Sequence, residues 1–140
     1  AERIANRNAQ NVFRRQKIDS QTAMNVAEAA AKIWLGSAVE ISGDGFGVIR
    51  EGLPRFIATQ FIERKYGKDV ADVERLRQRA NYAAVARRDA PLMIASPIDD
   101  FYFASNANKG AMIWRLLAKI VGQNEFFEKI RLNAEDRNLQ

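Results

Sequence analysis

The hydrophobic residues of this chain recur mostly at intervals of three or four positions, which is the spacing of one face of an α-helix. The clearest run extends from Ala23 to Trp34 and ends near Gly36. Asp19 and Ser20 precede it, and both are residue types that cap the N terminus of a helix. The pattern predicts a mainly α fold of about five helices with little or no sheet.

Glycine and proline set the boundaries of the other predicted helices. Pro54 lies in an apolar-periodic segment over about residues 48–66. Because proline is tolerated in the first helical turn but not in a helix interior, we place the start of this helix close to Arg50–Leu53. Gly67 is expected to end it, and Gly122 to end a later helix. The remaining helices are predicted over about residues 2–16, 70–88, 109–121 and 124–132.

Two segments are predicted to be irregular. Residues 42–47 contain three alternating glycines and are expected to form a flexible loop, since they lack the lysine and the preceding strand of a phosphate-binding loop. Residues 91–108 are expected to be irregular up to Asn108, which can cap the helix over 109–121. That helix has a broad apolar face that we expect to be buried, and the polar tail after Asn133 is expected to fray. The apolar face consists of Met112, Ile113, Leu116, Leu117 and Ile120.

The composition excludes several classes of active site. The 140 residues include no cysteine and no histidine. Disulfides, thiolate nucleophiles, Cys-ligated metals, Ser-His-Asp triads and His-ligated zinc are therefore excluded, and no cofactor is expected. The length fits one domain, and no apolar run approaches the roughly 18 residues of a membrane-spanning helix, so we expect no membrane partner.

Basic residues exceed acidic residues by 22 to 17, which gives a net charge of +5. Five arginines lie between Arg75 and Arg88, with acidic residues among them. We interpret this segment as a solvated helix surface, because it matches no nucleic-acid-binding signature and Tyr82 alone adds an aromatic ring. Binding of phosphate or nucleic acid through the Arg75–Arg88 face is the less favoured alternative.

Three motifs occur in order along the chain. Residues 26–36 read V-A-E-A-A-A-K-I-W-L-G, residues 51–52 read E-G, and residues 108–112 read N-K-G-A-M. They resemble the V-A-H-E-x-A-H-x-W-x-G, E-G and K-G-A motifs of the M1 family of zinc aminopeptidases. The resemblance covers roughly residues 25–132 and implies the helical part of a thermolysin-like catalytic domain. The family's G-x-M-E-N strand is absent from the sequence, and we expect it upstream, in a longer chain of which residues 1–140 form one M1-like domain.

The residues that this resemblance assigns to zinc and to catalysis are substituted. Glu28 and Lys32 stand at the positions of the two histidine ligands, and the third ligand position keeps its glutamate, Glu51. Ala29 stands at the position of the catalytic glutamate, and Ala107 at that of the transition-state tyrosine. Since one carboxylate cannot form a tetrahedral zinc site and an ammonium repels a cation, the resemblance implies a pseudopeptidase without zinc.

The substituted positions lead to a hypothesis about what replaces the metal. If the helices pack as in the M1 family, the Lys32 ammonium lies between the Glu28 and Glu51 carboxylates, in roughly the space of the metal. Glu28 and Lys32 are spaced i, i+4, in the order that favours an ion pair. The alternative is that both are solvated neighbours and that Glu51 merely favours a helix N terminus.

The leading hypothesis for function is an inactive domain with a structural role or with a peptide or protein partner. A residual cleft lined by Trp34, Phe101, Tyr102 and Lys109 is the candidate binding site. Core packing is the commoner fate of such aromatic residues, and Lys109 is expected to be exposed at a helix start. The alternative is an active hydrolase with an oxygen-only calcium or magnesium site. Its candidate ligands are Glu28, Glu51, Asp44, Asp99 and Asp100.

Overall fold

The computed structural model describes residues 19–36 and 43–137, and these ranges contain helices and loops but no strand. The mainly α class is therefore confirmed. Asp19 and Ser20, the predicted caps, are themselves helical, and the helix predicted over residues 2–16 lies outside the described ranges. None of the described helices is long and apolar enough to cross a membrane. The α-helices are α1 over residues 19–36, α2 Leu53–Tyr66, α3 Lys68–Ala83, α4 Gly110–Val121 and α5 Gln123–Arg137.

A π-helical segment, Val48–Gly52 (π1), leads directly into α2. The α-helix itself begins at Leu53, within the predicted start close to Arg50–Leu53, although helical turns already begin at residue 46. The wider π turn pairs the Leu53 amide with the Val48 carbonyl oxygen, five residues back. Pro54, which has no amide hydrogen, follows in the first turn of α2, where it does not break the helix.

A second π-helical segment, Ala104–Lys109 (π2), leads into α4. The irregular segment therefore ends near residue 101, and the prediction that Asn108 caps a helix is wrong. Asn108 and Asn106 are buried, and their side-chain amides donate to the carbonyl oxygens of Ala104 and Tyr102 at 2.8 and 3.1 Å. Such side chains usually favour turns, which is why the sequence pattern does not indicate this helix.

The segment π1 packs against the junction of π2 and α4 through a contact between the backbones of Gly52 and Gly110, here called the glycine crossing. A Cβ atom on Gly52 would lie 2.8 Å from the Asn106 carbonyl oxygen and 2.9 Å from the Gly110 Cα atom. A Cβ atom on Gly110 would lie 3.1 Å from the Gly52 Cα atom. Gly110 thus permits a close helix contact that a side chain would prevent. The crossing places π1, which carries Glu51, directly against π2, which carries Asn108.

The larger core cluster is built around aromatic rings of α2 and α5. The Phe56 ring lies 5.8 Å, centroid to centroid, from the rings of both Phe126 and Phe127. Leu35 of α1 and Leu53 of α2 complete the same cluster. A second cluster centred on Ile62 joins α1, α2 and α3, so that α2 contacts both clusters and holds the domain together.

The helix α4 turns its alanines and Trp114 toward the core, rather than the large apolar residues of the predicted face. Ala111 and Ala118 are buried, whereas Leu116 and Ile120 are 59% and 73% exposed. Leu117 is also exposed, and Met112 and Ile113 are half-buried, so the predicted burial of this face is wrong. The close approach at the glycine crossing is the physical reason, since it leaves room for alanine but not for leucine between α4 and α2.

Helix ends follow the glycines as predicted, with two differences. Gly67 and Gly122 have φ angles of +95° and +98°, the conformation that glycine adopts most easily. The segment Ala86–Arg88 is a separate 3-10 turn beyond α3. The prediction that the tail frays after residue 133 is wrong: α5 continues to Arg137, because Ala134 is buried and stabilises the last turns.

The predicted glycine-rich loop is shorter than expected. Gly43 and Gly45 have positive φ angles and lie in a turn over residues 43–45. Gly47 is helical and buried, because the Tyr102 hydroxyl and the Asn106 side chain lie against it. The prediction of a loop over residues 42–47 is therefore wrong at its second half, and residue 42 lies outside the described ranges.

Candidate functional site

Lys32 lies between two carboxylates where α1 meets π1. Its Nζ atom donates a hydrogen bond of 2.7 Å to Glu51 Oε2 and lies 3.5 Å from Glu28 Oε1. The helical register of α1 brings Glu28 and Lys32 to one face, a turn apart, and π1 presents Glu51 from the neighbouring segment. The structure thus contains the contact of one ammonium with both carboxylates.

Arg55 extends this cluster to a second cation. Its Nε and Nη2 atoms donate to the two oxygens of Glu28 at 3.0 and 3.1 Å, and its Nη1 atom donates to Asn108 Oδ1 at 2.7 Å. A planar guanidinium binds a carboxylate in this two-pronged way with better geometry than a lysine does. The sequence analysis does not place either residue in the site. The four-residue spacing of Glu51 and Arg55 is a signal for the arginine, whereas the sequence predicts Asn108 only as a helix cap.

The five residues Glu28, Lys32, Glu51, Arg55 and Asn108, here called the Lys32 network, are partly sheltered from solvent. The Glu51 and Glu28 side chains are 9% and 14% exposed, whereas those of Arg55 and Lys32 are 26% and 39% exposed. Two carboxylates face two cations, so the charges balance. Each buried charge has a partner at hydrogen-bond distance, which offsets the cost of removing it from water.

The residues at the positions that the M1 resemblance assigns to zinc do not fit a zinc ion. A zinc ligand must offer a lone pair, whereas the Lys32 ammonium has none and bonds directly to Glu51. Among the described residues, no three histidine, cysteine, aspartate or glutamate side chains are grouped as metal ligands. A cation that entered between Glu28 and Glu51 would first have to displace Lys32.

The two positions that the M1 resemblance assigns to catalysis carry methyl groups. Ala29 is exposed on α1, and Ala107 is 3% exposed within π2. A methyl group neither accepts a proton nor polarises a carbonyl group. The site therefore presents ion-paired carboxylates, with no acidic or basic group at the two positions that the M1 resemblance assigns to acid–base chemistry.

The structure does not bring the four residues of the predicted cleft together. Trp34 lies on α1 beside an apolar groove, whereas Tyr102 is buried and its ring lies 6.5 Å from that of Phe46. Phe101 is half-buried on the loop before π2. Lys109 is 28% exposed and pairs with Asp89, so the expectation of an exposed lysine is wrong.

Lys109 belongs to a second polar cluster, centred on Asp89. The Lys109 ammonium, the Ser105 hydroxyl and the Tyr82 hydroxyl all donate to the Asp89 carboxylate, the tyrosine at 2.9 Å. Burial raises the pKa of the Asp89 carboxyl, but these three hydrogen bonds outweigh burial and leave its pKa lowered. The hydrogen bond to Asp89 raises the pKa of Lys109, so this lysine stays charged and does not act as a base.

An apolar groove of about 970 Å³ runs along another face of α1. Its walls come from α1, α2 and α5, and charged side chains such as Lys65 and Arg131 lie among its lining residues. Val26 and Phe61 are 63% and 42% exposed there. The apolar lining includes Val26, Trp34, Ile57, Phe61, Tyr66 and Ile130.

The candidate ligands of an oxygen-only metal site are held apart. Two of them, the glutamates, belong to the Lys32 network. Asp44 is exposed in the turn over residues 43–45. Asp99 accepts a 2.9 Å hydrogen bond from the Ser96 amide, and Asp100 pairs with Arg88. The structure thus brings the two glutamates to one cation and leaves the aspartates elsewhere.

The arginines between Arg75 and Arg88 do not form one solvated face. Arg75 is 7% exposed, and its guanidinium donates to the carboxylates of Glu63 and Asp72. The solvated-surface interpretation is therefore wrong for Arg75, because the packing of α3 against α2 buries it. Arg79 lines a cleft toward α4 together with Arg75.

No known protein family, curated protein or solved structure matches this chain. The M1 resemblance consequently depends on the motifs and on where the fold places their residues. Function is inferred from the side chains themselves.

Proposed function

We propose that the chain is a catalytically inactive, M1 aminopeptidase-like domain, kept for a structural role or for binding a peptide or protein. The observation that carries this proposal is the 2.7 Å hydrogen bond from Lys32 Nζ to Glu51 Oε2. The three positions that the M1 resemblance assigns to zinc, Glu28, Lys32 and Glu51, meet at one point of the fold although none carries histidine. Such a meeting is expected if the helices keep the arrangement of a metal site.

A lysine between two carboxylates can take the structural role of a metal ion. It joins α1 to π1 through charge, as a ligated ion would join the elements that hold its ligands. It does not supply the chemistry, because an ammonium neither activates a bound water molecule nor polarises a carbonyl as a Lewis acid. The Lys32 network therefore supports a retained shape without peptide hydrolysis.

Reconstruction of the metal site tests the proposal. Glu28→His, Ala29→Glu and Lys32→His recreate the H-E-x-x-H pattern on α1, with Glu51 as the third ligand. Arg55→Gln is added because loss of Glu28 would leave that cation unpaired beside the metal. We expect this fourfold variant to bind one zinc ion per chain, measured by elemental analysis after dialysis, and the parent to bind none.

The control adds Glu51→Gln to the fourfold variant. Removing the third ligand should weaken zinc binding by at least about tenfold, whereas adventitious zinc on the surface would be unaffected. A fourfold variant that folds by circular dichroism but holds no zinc would refute the M1-like arrangement. Stoichiometric zinc in the parent, or its hydrolysis of aminoacyl fluorogenic amides, would refute inactivity.

The apolar groove along α1 supports the binding role. Its volume of about 970 Å³ reaches the upper part of the roughly 300–1,000 Å³ range of ligand pockets, and its walls are mostly apolar. Peptides selected from a displayed library against the parent should lose binding to Val26→Glu, which places a charge in the groove. Ile33→Glu, at an α1 position that is 73% exposed and does not line the groove, is the matched control and should bind normally. Equal binding to both variants would contradict a role for the groove.

A further inference from the structure

A cleft of about 200 Å³ between α3 and α4 collects four cationic side chains, and no carboxylate is among the described residues that line it. Arg75 and Arg79 come from α3, and Arg115 and Lys119 come from α4. Each pair is spaced four residues apart, which places both of its members on one face of their helix. The packing of α3 and α4 on α2 thus turns two basic helix faces toward one cavity, here called the α3–α4 cleft.

Three of these cations have no anionic partner in the part of the chain that the structure describes. The side chains of these three residues, Arg79, Arg115 and Lys119, form no hydrogen bond or ion pair with any residue of the described ranges. Burial lowers the pKa of Arg115, and the charges of Arg75 and Arg79 lower it further, although the carboxylates of Asp72 and Glu63 act in the opposite direction. Those two carboxylates are hydrogen-bonded to Arg75, and a half-buried charge with no hydrogen-bonded anion of its own is costly.

Arg75 adds a buried donor at the same place. It is 7% exposed, and its Nη atoms donate to Glu63 and Asp72. Its Nε atom is buried and has no hydrogen-bond acceptor among the described residues. Folded proteins leave few buried donors unpaired, so a donor of this kind beside a cationic cavity indicates an acceptor from outside the described residues.

We propose that the α3–α4 cleft binds a small phosphorylated molecule, with the phosphate held by Arg75, Arg79, Arg115 and Lys119. A phosphate group offers up to two negative charges and several acceptor oxygens, which match guanidinium donors that converge from two helices. The cavity is smaller than the roughly 300–1,000 Å³ of drug-sized ligand pockets, so it suits a phosphate with a small substituent. Phe56 provides an apolar wall for that substituent.

A nucleic acid strand fits this surface less well. Strand binding needs cations in a row that follows the backbone. Two further arginines of the same stretch, Arg77 and Arg88, are paired with Glu74 and Asp100. The unpaired cations instead converge on one cavity, which favours a single small ligand.

Calorimetric titration of the full chain with inorganic pyrophosphate at low ionic strength tests the proposal. We expect saturable binding with one site per chain. Arg115→Gln and Lys119→Gln should each weaken binding about tenfold, since each removes one charged contact. Arg87→Gln removes the same charge from an exposed position outside the cleft and should leave binding unchanged.

Circular dichroism establishes that each variant is folded. Because Lys119 is exposed, Lys119→Gln should fold and provide the test even if Arg115→Gln does not fold. The proposal is overturned if pyrophosphate gives no saturable binding, or if Arg87→Gln weakens binding as much as Lys119→Gln does. It is also overturned if a single-stranded oligonucleotide binds more tightly than pyrophosphate and competes with it. None of these outcomes involves the Lys32 network, so they leave the proposal of an inactive domain unaffected.

Discussion

The variant Lys32→Met measures how much the Lys32 network stabilises the fold. Methionine keeps most of the apolar stem but removes the ammonium, so the carboxylate of Glu51, 9% exposed, loses its 2.7 Å partner. Arg50 cannot replace it, because its Nε atom lies 4.0 Å away on a side chain that is 69% exposed. Glu28 keeps its two bonds from Arg55. Only one carboxylate, that of Glu51, is therefore left without a hydrogen-bonded cation.

The expected loss lies between two measured classes of ion pair. Removing one partner of a fully buried pair costs about 3–5 kcal/mol, whereas an exposed pair contributes about 0.2–1 kcal/mol. Because Lys32 is 39% exposed and Glu51 is 9% exposed, we expect a loss of about 2 kcal/mol in the free energy of unfolding. With an unfolding entropy of about 2.1 cal/mol/K per residue, 140 residues give a decrease of about 7 °C in Tm.

Calorimetry and urea unfolding monitored by circular dichroism provide the measurement. The matched control is Lys129→Met, which removes an exposed i, i+4 pair with Glu125 at 3.0 Å and should cost no more than about 0.5 kcal/mol. In a double-mutant cycle with Glu51→Gln, the coupling to Lys32 should be at least about 1 kcal/mol. A Lys32→Met variant whose Tm lies within about 1 °C of the parent would refute the reasoning.

Three further predictions concern other contacts of the fold. Gly52→Ala should lower the free energy of unfolding by about 2–3 kcal/mol in urea titrations, because its Cβ would lie 2.8 Å from the Asn106 carbonyl oxygen. Gly36→Ala is the control and should not change the stability, since no described atom lies within 4 Å of its Cβ. Equal effects of the two variants would contradict the glycine crossing. The Asp89 carboxyl has a pKa below its ordinary value of 3.8, so its contribution to stability is present above that value and is lost as the pH falls through the lowered pKa. The difference in the free energy of unfolding between the parent and Asp89→Asn should therefore be constant above about pH 5 and shrink below about pH 4. A difference independent of pH would argue against a lowered pKa of Asp89. Arg115→Gln should raise Tm in phosphate-free buffer, because it removes a half-buried charge whose pKa is lowered by burial and by the neighbouring Arg75, and a lower Tm would count against an unpaired Arg115.

Features of the fold that depend on neighbouring residues in sequence are the ones that the sequence pattern predicts well. The periodicity of α1 predicts its helix, and the glycines at 67 and 122 predict two helix ends, because the conformations involved are local. The pairing of Glu28 with Lys32 depends on helical spacing alone. The contact with Glu51 needed the M1 resemblance in addition, since 19 residues separate it from Lys32.

Features that depend on the meeting of distant segments are missed. Arg55 and Asn108 are 53 residues apart, and their hydrogen bond exists because the glycine crossing brings π1 and π2 together. The prediction of which face of α4 is buried is wrong for the same reason. Hydrophobicity predicts burial of its large side chains, but close helix contact selects Ala111 and Ala118 instead.

The glycine crossing and the Lys32 network both hold π1 in place, but by different means and against different neighbours: the glycines pack its backbone against π2 and α4, and Glu51 pairs with Lys32 of α1. The contact of Gly52 with Gly110 fixes the distance between π1 and π2 through backbone packing, whatever lies between Glu28 and Glu51. The network needs a positive charge between Glu28 and Glu51, which the Lys32 ammonium supplies. Substitution of Lys32 by an uncharged residue therefore removes this ion pairing while the contact of Gly52 with Gly110 persists, whereas substitution of either glycine disturbs the backbone contact itself.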